Sequence, residues 1–458
     1  MKRILTVLCV IATLTTHAQN ADERIYALME EARWFDLARE LTITPSDSVD
    51  PLLHKMARAM TYHYFNKPDS VCYILSDLLN NHQEELGSST LSMATLMGMN
   101  LARTNNYAEA ASLMQSLYGQ MKAQGADSTQ ANGYLMLARQ YKAYAENAPI
   151  CHPLHPTGTY RIPMKTDNTM HKAKDKTSNG HLITMDGRIN GHGSTLVFDT
   201  GAGVNIISPT QARDYGLRKL DATSPMAGIG TQQGFYALAD TLRIGGMAWS
   251  NVPFLVVDIK TGNAKADSIC KLLPPVIGLP IMLSMQEIQL DFENRQIIIP
   301  AKTTPHPFNE SNLLRTDAEN LLFATTEENG EPLYFHFDTG GYGTTFQSNW
   351  YERHKDEVQA VGTPDSLRVA GVGGTSCTHS YRLPHKKIRI GQNSTVLDSV
   401  IVDTGIDLYT GEQKRASYLS GKEDSTLGLD ILEHFKLVII NFKDMYMNAI
   451  PFLREKKD

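Results

Sequence analysis

Leu196-Val197-Phe198-Asp199-Thr200-Gly201-Ala202-Gly203 runs on to Ile206-Ile207-Ser208, and Tyr334-Phe335-His336-Phe337-Asp338-Thr339-Gly340-Gly341 runs on to Thr345-Phe346-Gln347-Ser348. In both stretches an apolar strand ends on Asp-Thr-Gly and a second short apolar run follows. Each is preceded by another strand and a turn: residues 182–185 with Asp186-Gly187, and residues 321–324 with Asn329-Gly330. Further on, Ala227-Gly228-Ile229-Gly230-Thr231 matches Ala370-Gly371-Val372-Gly373-Gly374-Thr375. Val276-Ile277-Gly278-Leu279 then matches Thr426-Leu427-Gly428-Leu429, and Leu290-Asp291-Phe292 matches Ile440-Asn441-Phe442. Gly278 precedes Asp291 by 13 residues, as Gly428 precedes Asn441. Four landmarks in one order are far more specific than a lone Asp-Thr-Gly. They predict a duplicated, mainly β region with segments at 181–302 and 315–452.

The rest of the chain differs in texture. Residues 19–148 read as helical, with Leu28, Met29, Ala32, Phe35, Leu37, Ala38 and Leu41 at helical spacing. A small theme recurs there, at Trp34-Phe35-Asp36-Leu37-Ala38, at residues 65–71 and at Asn106-Tyr107-Ala108-Glu109-Ala110. A period in the mid-thirties marks stacked helical hairpins, and this region resembles a degenerate tetratricopeptide array. Two roles fit it: a groove for a protein partner, or a helical cap on the region that follows. Residues 149–180, with Pro149, Pro153 and Pro156 and then a polar Lys/Thr/Asp run, read as a linker. Cys151-His152-Pro153-Leu154-His155 within it lacks a second ligand cluster and reads as a surface loop rather than a zinc site. The fold class expected is therefore multidomain α and β, with helical hairpins followed by a bilobal β domain.

Compartment is legible at the start. Lys2 and Arg3 precede a short apolar run over residues 4–14, and Thr16-His17-Ala18 ends on a small residue. Residues 1–18 read as a signal peptide cleaved after Ala18, and the apolar run is too short to span a bilayer. The mature chain is expected to be exported, to a bacterial periplasm or the exterior, without a membrane span. Cys72, Cys151, Cys270 and Cys377 remain after cleavage. Their wide spacing leaves both disulfides and free thiols open. With 49 acidic against 43 basic residues and a formal charge of −6, nucleic-acid binding is not expected. No zinc-protease helix motif, Gly-x-Ser-x-Gly elbow or P-loop occurs, and no cofactor or metal is implied. His336 reads as an alternating strand residue.

The duplicated β region resembles an aspartic protease lobe of the retropepsin and pepsin kind, present twice over residues 181–452. The resemblance implies two carboxyls, Asp199 and Asp338, that share one water and one proton. One, ionised, acts as general base, and the other, protonated, polarises the scissile carbonyl. It implies that Thr200 and Thr339 reach across to the opposite loop and lock the carboxyls, and that Gly201 and Gly340 let the backbone approach them. Gly278 and Gly428 would let a strand pass behind each Asp loop. The hairpin tips with Gly228, Ile229 and Gly230, and with Gly371, Val372, Gly373 and Gly374, would be flaps over a peptide or protein substrate. Ala202 and Gly341 stand where pepsin-like enzymes carry a serine hydroxyl. A non-catalytic peptide-binding module is the alternative from a different functional class, and a dyad formed with a second chain is another.

Overall fold

A computed structural model describes residues 16–169, 180–413 and 423–452. Most of the expected signal peptide, residues 1–15, lies outside the described residues, as do residues 170–179 of the expected linker. The chain divides into two compact units. One takes residues up to Ile150 together with Pro305–Ser311, and the other takes Cys151–Thr304 and the chain from Asn312 onward.

The first unit is helical: α1 Thr16–Glu30, α2 Trp34–Ile43, α3 Pro51–Tyr64, α4 Pro68–Asn81, α5 Gln83–Leu86, α6 Thr90–Arg103, α7 Tyr107–Ala123 and α8 Ser128–Ala145. Local chemistry sets the boundaries. Asp50 caps α3 by accepting from the Leu52 and Leu53 amides at 3.0 and 2.9 Å, and Pro51 takes the first position, where no amide is needed. The same turn closes α1, α3 and α6. Ala32, Asn66 and Asn105 adopt φ of 49°, 54° and 64°. The next amide reaches back to the carbonyls of Leu28, Tyr62 and Leu101 at 2.9, 2.9 and 2.8 Å. These turns fall where the sequence theme recurs. Met29, Phe35, Leu37 and Ala38 of the expected apolar face are buried. Pro305–Ser311, outside every sequence-defined segment, belongs to this unit because Phe308 sets its ring 5.6 Å from Tyr62 and 5.3 Å from Phe65.

Among the described residues the second unit is built on three sheets. In the first sheet the strand leading to Asp199, His192–Phe198, pairs in parallel with Val276–Ile277, placing Phe198 beside Ile277. Val276 pairs on its other side with Ile206, and Ile207 lies beside Val256. The next sheet repeats this order. Pro332–Phe337 pairs in parallel with Ser425–Leu427, placing Phe337 beside Leu427. Thr426 then pairs with Thr345, and Phe346 lies beside Val402. Strands covered on both faces need unbroken apolar runs, and Phe198, Phe254, Phe337 and Phe346 are almost fully buried.

A five-stranded sheet joins the halves of this unit. Its centre is an antiparallel pair, Glu287–Asp291 with Phe435–Asn441, in which Glu287 faces Asn441, Gln289 faces Ile439 and Asp291 faces Leu437. These are the strands that carry the Leu290-Asp291-Phe292 and Ile440-Asn441-Phe442 landmarks.

Two expectations are corrected here. The described part of residues 149–180 is not simply a linker, because Tyr160–Pro163 is the edge of the five-stranded sheet and Lys165–Asp167 pairs with Leu182–Ile189. The Cys151–His155 stretch is not a loose surface loop. His152 and Pro153 pair with Ser250 and Trp249, and His155 Nδ1 lies 2.9 Å from the Ala248 carbonyl. An edge strand tolerates proline because one side of its backbone needs no partner, so the proline cluster looked like punctuation. Cys72, Cys151, Cys270 and Cys377 are all free thiols.

Candidate active site

Asp199 and Asp338 sit just past the ends of two buried strands, each fixed from behind by the neighbouring strand. The Asp199 amide donates to the Ile277 carbonyl and the Asp338 amide to the Leu427 carbonyl, both at 3.1 Å. Each chain then turns sharply back. Gly201 N donates to Asp199 Oδ1 and Gly340 N to Asp338 Oδ1, both at 2.8 Å. The glycines are required sterically. A Cβ on Gly201 would fall on the Asp338 carboxylate, and one on Gly340 would fall on that of Asp199. Each loop thus lies against the other's acid, and both acids belong to one chain.

The threonines between them hold the loops together. Thr200 Oγ1 donates to the Phe337 carbonyl at 3.1 Å and accepts from Thr339 N at 3.0 Å. Thr339 Oγ1 donates to the Phe198 carbonyl at 3.1 Å and accepts from Thr200 N at 3.0 Å. Both side chains are fully buried. Four reciprocal bonds away from water leave the two loops little freedom to slide.

Behind the loops, Gly278 and Gly428 pass too close for any side chain. A Cβ at Gly278 would lie 2.5 Å from the Val204 carbonyl oxygen, and one at Gly428 would lie 2.8 Å from the Gly343 backbone. Two supports here are absent from the sequence reading. Asn205 Oδ1 accepts from Gly278 N at 3.0 Å, and Thr344 Oγ1 accepts from Gly428 N at 3.1 Å while donating to Asp430 at 2.6 Å. The available signal was a small polar residue six places after each Asp.

Electrostatics differ from a surface pair. Burial and the charge of Asp338 push the Asp199 carboxyl well above the ordinary aspartate range, against the pull of the Gly201 and Gly340 amides. A shared proton is the natural outcome, because two adjacent carboxylates cannot both ionise cheaply. His336 is buried two residues before Asp338. Burial lowers its pKa despite the opposing charges of Asp338 and Glu423. Among the described residues no group of three or more His, Cys, Asp or Glu is placed to hold a metal ion.

The glycine-rich stretches are hairpin tips. Arg218–Ala227 pairs with Thr231–Ile244 around Gly228, Ile229 and Gly230. Thr363–Gly371 pairs with Gly374–Ile390 around Val372 and Gly373. Gly373 has φ of +75°, which a side chain rarely adopts. The tips meet where Gly230 N donates to the Val372 carbonyl at 2.9 Å, and Gly373 N donates to the Lys260 carbonyl, outside the first tip, also at 2.9 Å. A Cβ on Gly230 would lie 2.5 Å from the Gly373 carbonyl oxygen, so the contact is backbone against backbone.

Residues 185–278 match the family model described as aspartyl protease. The matched stretch holds Asp199, the Gly228–Gly230 tip and Gly278, and the chain therefore carries an aspartyl-protease-like domain. The stretch around Asp338 lies outside the match. No curated protein matches the chain. No helix among the described residues is long and apolar enough to cross a membrane.

Proposed function

We propose that this protein is an exported aspartic endopeptidase, working in a bacterial periplasm or outside the cell, whose two β segments are tandem lobes that each contribute one acid. The observation that carries this reading is the reciprocal bonding of Thr200 and Thr339 around Asp199 and Asp338. Buried threonines tying two acid loops together is costly architecture if the carboxyls need no fixed geometry.

The chemistry follows from the pair. With one proton across two carboxyls, the ionised one takes a proton from a water held between them. The protonated one donates to the oxygen of the scissile carbonyl as the water oxygen bonds its carbon, and collapse of that tetrahedral centre breaks the C–N bond, one hydroxyl proton returning to the pair as the pair protonates the leaving nitrogen. The proton is a property of the pair, so neither acid is assigned a fixed role. The flap tips must part to admit an extended peptide, then close over it to exclude water and offer backbone hydrogen bonds. The helical unit, with its recurring hairpin turns, is read as a tetratricopeptide-like domain for a protein partner.

Ala202 and Gly341 offer no hydroxyl to the outer carboxylate oxygens. The upper limb of the pH profile is therefore expected to lie above that of a serine-flanked site, in keeping with the raised Asp199. The test is incubation of the mature protein with a diverse peptide library from acidic to neutral pH, beside an Asp199→Asn control. A bell-shaped profile that vanishes in the control supports hydrolysis. Saturable binding without Asp199-dependent cleavage at any pH replaces it with a peptide-binding module.

A further inference from the structure

The two sides of the acid pair are chemically unlike. Val197 lies two residues before Asp199, and although the strand ends at Phe198 the ladder continues, since Val197 N donates to the Pro275 carbonyl at 2.9 Å and Asp199 N to the Ile277 carbonyl at 3.1 Å, so both residues stand on the same face. Its register partner is Val276, and the other partner of Val276 is Ile206. These three and Val257 belong to one buried apolar cluster, against which Met226 and Leu273 pack while remaining partly exposed.

The same registers in the second segment bring different chemistry. His336 lies two residues before Asp338, its partner is Thr426, and the other partner of Thr426 is Thr345. Ile207 lies beside Val256 as Phe346 lies beside Val402, so the place of Val257 falls to Asp403. Four hydrocarbon side chains are matched by an imidazole, two hydroxyls and a carboxylate.

Asp403 is half-buried. Its Oδ1 accepts from Gly405 N at 2.9 Å and its carboxyl also bonds the Thr378 hydroxyl. Among the described residues these are neutral donors, and burial pushes the carboxyl up. Directly across the ladder stands Ser380, the register partner of Asp403, with its side chain on the same face. Ser380 is 2 % exposed, and its Oγ has no hydrogen-bond partner among the described residues. A half-buried carboxyl with only neutral donors, beside a buried idle hydroxyl, leaves both groups short of a charged donor.

We propose that this side of the acid pair is a subsite for a lysine or arginine side chain of the substrate, with Asp403 as counter-ion and Ser380 as acceptor, and that the Val197 side takes an apolar residue. The proposal rests on the hydrolytic reading and gives it a substrate class: peptides cut between a region with a basic residue and one with an apolar residue. An ammonium or guanidinium brings several donors and no acceptor, which is what a carboxylate beside a hydroxyl oxygen lacks.

The test separates recognition from chemistry. Binding of matched peptides bearing lysine or norleucine is measured on the full chain carrying Asp199→Asn, and cleavage of the same peptides on the native chain. Lysine is expected to bind about 30-fold more tightly than norleucine, the order of effect of a partly desolvated ion pair. Adding Asp403→Asn should shrink that ratio to about twofold, and Asp403→Lys should turn the preference toward a glutamate peptide. Equal binding of lysine and norleucine, or a ratio that survives Asp403→Asn, overturns the subsite. Lysine-selective binding with no cleavage by the native chain supports the subsite and overturns hydrolysis. Cleavage without lysine preference does the reverse.

Discussion

Asp199→Asn and Asp338→Asn are each expected to lower peptide turnover by about 10³–10⁴-fold while leaving the fold intact. An amide cannot take a proton from water, and it cannot share one with the remaining acid. Each loop keeps its threonine and its glycine amide in either variant, so geometry should persist. Stability should move the other way. Because folding raises the Asp199 pKa, the protonated acid is favoured in the native state. That contribution is full below the ordinary aspartate range and is lost as pH rises through the raised folded value. The amide that Asp199→Asn introduces does not titrate. The variant's melting temperature should therefore differ most from the native protein's at neutral pH, where the variant is the more stable, and the gap should close toward acid. Scanning calorimetry at several pH values alongside a peptidase assay checks both halves. An active, unstabilised variant would mean that the carboxyls do not act together.

Thr200→Val and Thr339→Val should be among the most damaging substitutions of similar shape. Valine fits the space but neither donates nor accepts. In Thr200→Val the Thr339 amide and the Phe337 carbonyl both lose their partner where no water reaches. Orphaning two buried backbone groups costs about 2–5 kcal/mol, and Thr339→Val should cost the same by orphaning the Thr200 amide and the Phe198 carbonyl. Trp249 and Trp350 lie buried in the β unit, so urea unfolding followed by their fluorescence reads the loss. Turnover should fall with little change in substrate affinity, since the loosened part is the acid geometry and not the subsites. Native-like stability in either variant would remove the threonines from the architecture of the site.

The site was legible in sequence where geometry leaves a residue no substitute. Gly201, Gly340, Gly278 and Gly428 lie where a Cβ would strike a carboxylate or a carbonyl. Glycine is the one residue that satisfies such positions, so each recurs beside its motif. Asn205 and Thr344 were not legible, because one task, accepting a single amide bond, is met by two different side chains. The five-stranded sheet escaped for another reason. Tyr160–Pro163 is separated from its partner Gln296–Ile299 by more than a hundred residues, and its proline-rich surroundings have the composition of a connector. Phe308 was invisible as part of the helical unit, since a lone aromatic in a polar stretch carries no periodicity. Asp403-Thr404-Gly405 repeats the motif letters in a third place. It lies on the ladder Asn393–Asp407 rather than at the end of a strand backed by a glycine, and so it faces Ser380 and not a second acid.

The direct measurement is the titration of the two acids by carbon NMR of the full chain with labelled aspartate carboxyls, assigned by comparison with Asp199→Asn and Asp338→Asn. Two coupled steps are expected, with one proton retained well above the ordinary aspartate range. Asp338→Asn should bring the Asp199 step down by removing the neighbouring charge, leaving only the effect of burial. Two independent, ordinary titrations, each unmoved by replacing the other acid, would contradict a shared proton and with it the hydrolytic site.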